Sequence, residues 1–165
     1  GWSGTAAKAH ALEEIAALLQ AHILKKEVQV LVISNDKPRL SFPFTFEKWH
    51  YSTFPKHIAR CDLCIAPRRV DNNYDRGHSL FKIGVFMAAG IPALAGPVPA
   101  YSLLLADHLA GEICDTKAAW KMHLERYLSD PMLRQSAGAY AQEKMKPYLT
   151  PNVAVQVDQL LRKIL

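Results

Sequence analysis

Arg76, His78 and Lys82 stand at the front of "RGHSLFKIGVFMAAGIP", a stretch from Arg76 to Pro92 that is otherwise almost wholly apolar. His78 and Lys82 are four residues apart, so on a helix they share one face, with Arg76 just before its first turn. A helix N-terminus already carries about half a positive charge, and cations there cost roughly 0.3 to 1 kcal/mol each unless an anion sits among them. Phosphate oxygens would satisfy all three groups together with the free amides at that helix end. The opening "GWSGT" offers a second anion cradle: glycine lets backbone approach closely, so amides from Ser3 to Thr5 can hold the other side of a pyrophosphate. The plainer alternative is that Arg76 and His78 are solvated loop residues and Lys82 snorkels out of an amphipathic helix.

The elements that must position these groups are legible in outline. Leu12, Ile15, Leu19 and Ile23 recur at spacings of three and four, which predicts a helix from about Thr5 to Leu24. "VQVLVI" (Val28 to Ile33) is β-branched and nearly continuous, as a strand buried on both faces should be. "FPFTFEKW" reads as a shorter strand, and "STFPKHIARC" supplies a cap and a first-turn proline for a short helix. "DLCIAP" is the next buried strand, followed by "RRVDNNYDRGH", a long polar loop in which Asp71 and Asp75 are expected to cap turns. A helix from about Ser79 to Ala89 comes next, closed by Gly90 in the left-handed region and Pro92 beyond it. "PALAG" and "GEICD" read as strands with "YSLLLADHL" as a helix between them. Three helices end the chain, started by Thr116, by Asp130-Pro131 and by Thr150-Pro151 before "NVAVQVDQLLRKIL".

Strands alternating with helices imply a doubly wound α/β domain on a parallel, Rossmann-like sheet. In such a sheet ligands bind outside the carboxyl ends of the strands, where "GWSGT" and "VDNNYDRGHS" are the loops expected to meet.

Size and charge agree with that reading. A chain of 165 residues suits one domain, here expected to run over 1–165. Half of the residues are hydrophobic and 21% charged, which excludes a disordered chain. The net charge of +5 fits an anionic small molecule or an acidic membrane surface and is too dispersed to call for nucleic acid. No apolar run is long enough for a membrane span and no signal peptide opens the chain, so a cytoplasmic protein is expected. Cys61 and Cys64 form a C-x-x-C, but no second pair exists to complete a zinc site, and the three cysteines read as reduced core thiols. His10, His22, His57, His108 and His123 fall in predicted helices without ligand spacing and read as structural or solvent-facing. A glycine turn running straight into a helix usually follows a strand, which gives the expectation of a piece of a longer protein.

The stretch "RGHSLFKIGVFMAAGIPALAGPVPAY" resembles the donor-site segment of GT-B glycosyltransferases of the glycosyl transferases group 1, family 4-like, type. The likeness extends through "CDLCIAP" before it, "HLAGEI" and "AAWKMHLERYLSDPMLRQSAG" after it, and "GWSGT" at the front. The resemblance implies the C-terminal half of a GT-B fold. It implies that Gly1, Ser3, Gly4 and Thr5 lie under the donor diphosphate, and that Arg76, Gly77, His78, Ser79 and Lys82 surround its phosphates. It sets Phe46 to Trp49, with Lys48 and Trp49 as candidates and His50 at the border, where the nucleotide base is contacted. Two positions depart from the pattern. His78 replaces the usual Lys, which makes phosphate binding depend on pH. Val85 stands where relatives carry a Glu or Gln that bonds the ribose hydroxyls, and valine cannot make that bond.

The implied activity is transfer of a sugar from a nucleoside diphosphate sugar to a hydroxyl acceptor, in polysaccharide or glycoconjugate biosynthesis. The basic cluster would stabilise the leaving diphosphate electrostatically, without a metal or other cofactor. The implied partners are the nucleotide-sugar donor, an N-terminal GT-B domain that carries the acceptor site, and a peripheral membrane contact of the whole protein. Two rivals stay open: a nucleotide-sugar 2-epimerase of the same fold, and a non-catalytic binding domain of the same type.

Overall fold

The computed structural model describes residues 1–164. Two three-stranded parallel sheets form its centre. In the first, β2 (Leu31–Ser34) lies between β1 (Trp2–Ser3) and β3 (Thr45–Lys48), with Trp2 beside Val32 and Leu31 beside Thr45. In the second, β5 (Ala93–Ala95) lies between β4 (Cys64–Ala66) and β6 (Gly111–Ile113), with Cys64 beside Ala93 and Ala93 beside Gly111. The Ile65 amide donates to the Gly1 carbonyl at 2.9 Å and joins the two sheets between β1 and β4. The composite order is therefore β3-β2-β1-β4-β5-β6, and it reverses direction between β1 and β4.

The strands are short and buried on both faces, as their unbroken apolar runs require. Ile33 faces a core with Phe86, Met87 and Tyr101, whereas Val32 faces one with Trp2, Leu12, Trp120 and Tyr127. The first of these layers is covered by α2 (Phe54–Ile58), α4 (Phe81–Ala88), α5 (Pro99–Leu104) and the end of α7 (Pro131–Met145). The other is covered by a long 3-10 segment (Ala6–Ile15), α1 (Ala16–Leu24) and α6 (Lys117–Ser129). Gly138 of α7 meets the turn after α4 so closely that a Cβ there would lie 2.1 Å from the Gly90 carbonyl oxygen, and Gly90 has φ +78°. No described helix is long and apolar enough to cross a membrane.

The last helices start where their caps say. Thr116 accepts from the Ala119 amide at 3.1 Å and Asp130 from the Leu133 amide at 2.9 Å, with Pro131 in the first turn of α7. After a short 3-10 turn (Lys146–Tyr148), α8 (Thr150–Ile164) runs along the surface with every described residue exposed; Leu165, included in the predicted helix, lies outside the described residues.

Three expectations are corrected. The predicted helix over Thr5 to Leu24 is divided, because Ala9, Leu12 and Ile15 are buried at a spacing of three, which a 3-10 turn places in line. From Ala16 the α-geometry buries Leu19 and His22 rather than Ile23, and His22 Nδ1 lies 2.7 Å from Glu27. The strand expected from Val28 begins only at Leu31, where its partners in β3 begin. The polar loop before α4 holds α3 (Asn73–Arg76), whose cap is Asn72 accepting from the Asp75 amide at 2.9 Å; the Asp75 carboxylate caps no turn and instead binds Arg68.

Candidate functional site

A cleft of about 400 Å³ opens where the strand order reverses, above the carboxyl ends of β1 and β4. Ser3, Gly4 and Thr5 form its floor, and His78, Ser79, Phe81, Lys82 and Val85 form the wall carried by α4 and the turn before it. Asn35, Trp49 and Phe54 line the side of β2 and β3, and Lys8, Arg68 and Tyr101 complete the rim.

Lys82 occupies the second position of α4 and turns toward the end of β1. Its Nζ donates to the Ser3 carbonyl at 2.7 Å and lies 4.1 Å from the centre of the Trp2 ring. Gly4 makes this reach possible, because a Cβ there would stand 2.8 Å from Lys82 Nζ and 2.7 Å from the Trp2 ring. Among the described residues no carboxylate pairs with Lys82. Burial pushes its pKa down to about 8; the nearby Cys64 opposes the fall, and Arg68 and Lys8 add to it. A partly dehydrated ammonium without a counter-ion favours an anion beside it.

His78 precedes α4 and packs edge-on against Tyr74, with ring centres 4.8 Å apart. Its Nε2 is buried without a hydrogen-bond partner. Burial lowers its pKa below the ordinary histidine value, and Arg68 and Lys8 lower it further, against a smaller opposite pull from Asp75. The ring is therefore mostly neutral at pH 7. An adjacent diphosphate would favour its protonated form, so affinity for a nucleoside diphosphate should rise as pH falls from about 8 to 6. The comparison is His78→Lys, which carries its charge throughout that range and shares every other titrating group, the diphosphate included. The histidine protein should gain affinity relative to the lysine variant as pH falls, and parallel titration profiles would remove His78 from the site.

The other residues singled out from the sequence divide. Ser3, Gly4, Thr5, His78, Ser79, Lys82 and Trp49 line the cleft. Gly1 lies at the amino end of β1, away from it, packed so that a Cβ would be 2.3 Å from Cys61 Sγ. Arg76 and Gly77 are exposed at the end of α3, and Lys48 is exposed at the end of β3; none of the three lines the cleft. Of the amides from Ser3 to Thr5 expected to cradle phosphate, that of Gly4 is spent on the Ile33 carbonyl at 3.1 Å, and the next amide along, that of Ala6, donates to the Asn35 side chain at 2.8 Å. Val85 is half-buried in the wall, where the cleft presents methyl groups. Arg68, Lys8 and Tyr101 were not marked by the sequence; Arg68 follows β4 at the switch point, a position that could have singled it out.

No protein-family model and no curated protein matches the sequence. Solved structures do match the fold. WaaG, a glycosyltransferase involved in lipopolysaccharide biosynthesis, superposes with a TM-score of 0.67 at 16% identity over 86% of this chain and 40% of its own. Sucrose-phosphate synthase from Thermosynechococcus elongatus gives 0.70 at 15% identity over 98% of this chain and 44% of its own. The spinosyn forosaminyltransferase SpnP gives 0.53 at 18% identity over 88% and 39%. The chain thus spans about two fifths of each of these enzymes and has the Rossmann-like fold of one half of a GT-B glycosyltransferase.

Proposed function

We propose that this chain is the donor-binding domain of a glycosyltransferase that moves a sugar from a nucleoside diphosphate sugar to a hydroxyl acceptor. The observation that carries the reading is Lys82: a buried ammonium with no carboxylate partner among the described residues, at the switch-point cleft of a GT-B half. As the bond from sugar to diphosphate breaks, negative charge builds on the leaving phosphate oxygens. A fixed ammonium at the N-terminal end of α4 stabilises that charge more in the transition state than in the ground state. Trp49, 6.0 Å from Phe54 between ring centres, offers the nucleotide base an aromatic wall at the end of β3. The acceptor, and any catalytic base, belong to a second domain across the cleft, whose closure would exclude water from the phosphates. The three unpaired thiols suit a reducing cytoplasm, where we place the protein.

The test has two arms. A thermal-shift panel of nucleoside diphosphates and nucleotide sugars on this domain should stabilise it with at least one base, by about 2 to 3 kcal/mol at a hundredfold excess over Kd. A longer chain holding both domains should turn over the donor in the presence of lipid or saccharide acceptors. Residues 1–165 alone should not, because much of the rate comes from fixing donor and acceptor together. Isomerised sugar from donor alone would replace the transferase reading with an epimerase, and transfer by these residues alone would move the acceptor site into this domain.

A further inference from the structure

We infer that Arg68 supplies the guanidinium that grips the donor diphosphate together with Lys82, held in position by Asp75 and by the close approach of Gly96. This rests on the donor-cleft reading, which it deepens by naming the second phosphate-binding group.

Arg68 leaves β4 after Pro67 and so stands at the switch point itself, lining the cleft together with Lys82 of α4. Its side chain is 12% exposed and its Nη1 donates to Asp75 Oδ1 at 2.9 Å. Among the described residues that is its only side-chain hydrogen bond, so most of its five N–H groups stay available for the planar, two-point contact that suits a phosphate. The backbone is fixed as firmly as the side chain. A Cβ at Gly96 would lie 2.1 Å from the Arg68 carbonyl oxygen and 2.7 Å from its nitrogen, so the loop after β4 presses on the end of β5.

The charge of the cleft fits the ligand. With His78 neutral, Arg68, Lys8 and Lys82 set against Asp75 leave two uncompensated positive charges at the cleft. The diphosphate of a nucleotide sugar carries two negative ones. Beyond the effect of burial, Arg68 adds to the fall of the His78 and Lys82 pKa values and opposes the burial-driven rise of Tyr101, as a cation near all three must. Arg76, exposed at the end of α3, does not line the cleft.

The experiment is calorimetric titration of UDP and GDP into the wild-type domain and three variants at low and moderate salt. Arg68→Gln should lower affinity roughly tenfold to a hundredfold. Arg68→Gln combined with Asp75→Asn leaves no unpaired carboxylate and should show the same loss with an unchanged melting temperature. Arg69→Ala removes a neighbouring cation whose exposed side chain lies 3.8 Å from Glu14, outside the cleft. It should stay within about threefold, since solvent screens exposed charges. If the wild type binds and the folded double variant binds as tightly, Arg68 is a structural partner of Asp75 and the assignment is overturned while the donor-cleft reading stands. A wild type that binds neither nucleotide overturns both.

Discussion

Lys82→Met should give a protein that melts no lower than the wild type and has lost most of its affinity for nucleoside diphosphates. The fall of the lysine pKa from 10.5 to about 8 means that at pH 7 the fold carries a buried charge at a cost of about 3 kcal/mol. Against this stand about 1 kcal/mol for the bond to the Ser3 carbonyl and about 1 kcal/mol for the contact with the Trp2 ring. Methionine fills a similar volume, so the balance favours the variant by about 1 kcal/mol, a rise of a few degrees in Tm. The sign with pH follows from the depressed pKa. The cost is fully present below about pH 8 and is relieved as pH rises from there toward 10.5, so the wild type should gain on the variant over that window, first closing the gap of about 1 kcal/mol and then reversing it. Binding should move the other way, losing about 1.5 to 3 kcal/mol, the range of a charge-assisted hydrogen bond. Calorimetry and thermal melts on the same samples decide it. A variant that melts far lower would make Lys82 a structural residue, and one that binds as before would make it a bystander.

Gly96→Ala should be the most damaging single methyl group near the cleft. The added Cβ meets backbone rather than a movable side chain, at 2.1 Å from the Arg68 oxygen and 2.7 Å from its nitrogen, so β5 and the loop after β4 must separate. Overpacking against backbone costs about 3 kcal/mol, which lowers Tm by roughly 6 to 12 °C in a domain of this size. Nucleotide affinity should fall as well, because the displaced loop carries Arg68. An alanine variant with wild-type Tm and affinity would show that the loop yields freely and that Arg68 is not held from behind.

The sequence revealed the wall of the cleft better than its rim. Lys82 and His78 announced themselves as polar residues at the head of an apolar run, although only Lys82 lies on α4 and His78 falls before it, not on a shared helix face. Thr116, Asp130 and Gly90 were equally readable, since caps and left-handed turns are local chemistry. Arg68 gave no such signal. It sits in a polar loop beside a second arginine, and what fixes it is Gly96, which comes close only when β4 and β5 pair. Arg76 looked better placed because an extended loop would carry it to the head of α4; the turn of α3 leaves it exposed instead. The winding of the first helix was hidden for a different reason. Ala9, Leu12 and Ile15 satisfy a spacing of three, Leu19 one of four, and a periodic stripe alone does not say where one geometry gives way to the other.

The central claim is that the cleft between β1 and β4 holds a nucleoside diphosphate. Its most direct test is calorimetric titration of the domain with UDP and with GDP at pH 7 in low salt. The account predicts saturable binding of at least one of them with a Kd between micromolar and millimolar, about −4 to −8 kcal/mol. Absence of heat with any nucleoside diphosphate up to millimolar concentration, from a folded sample, would contradict it.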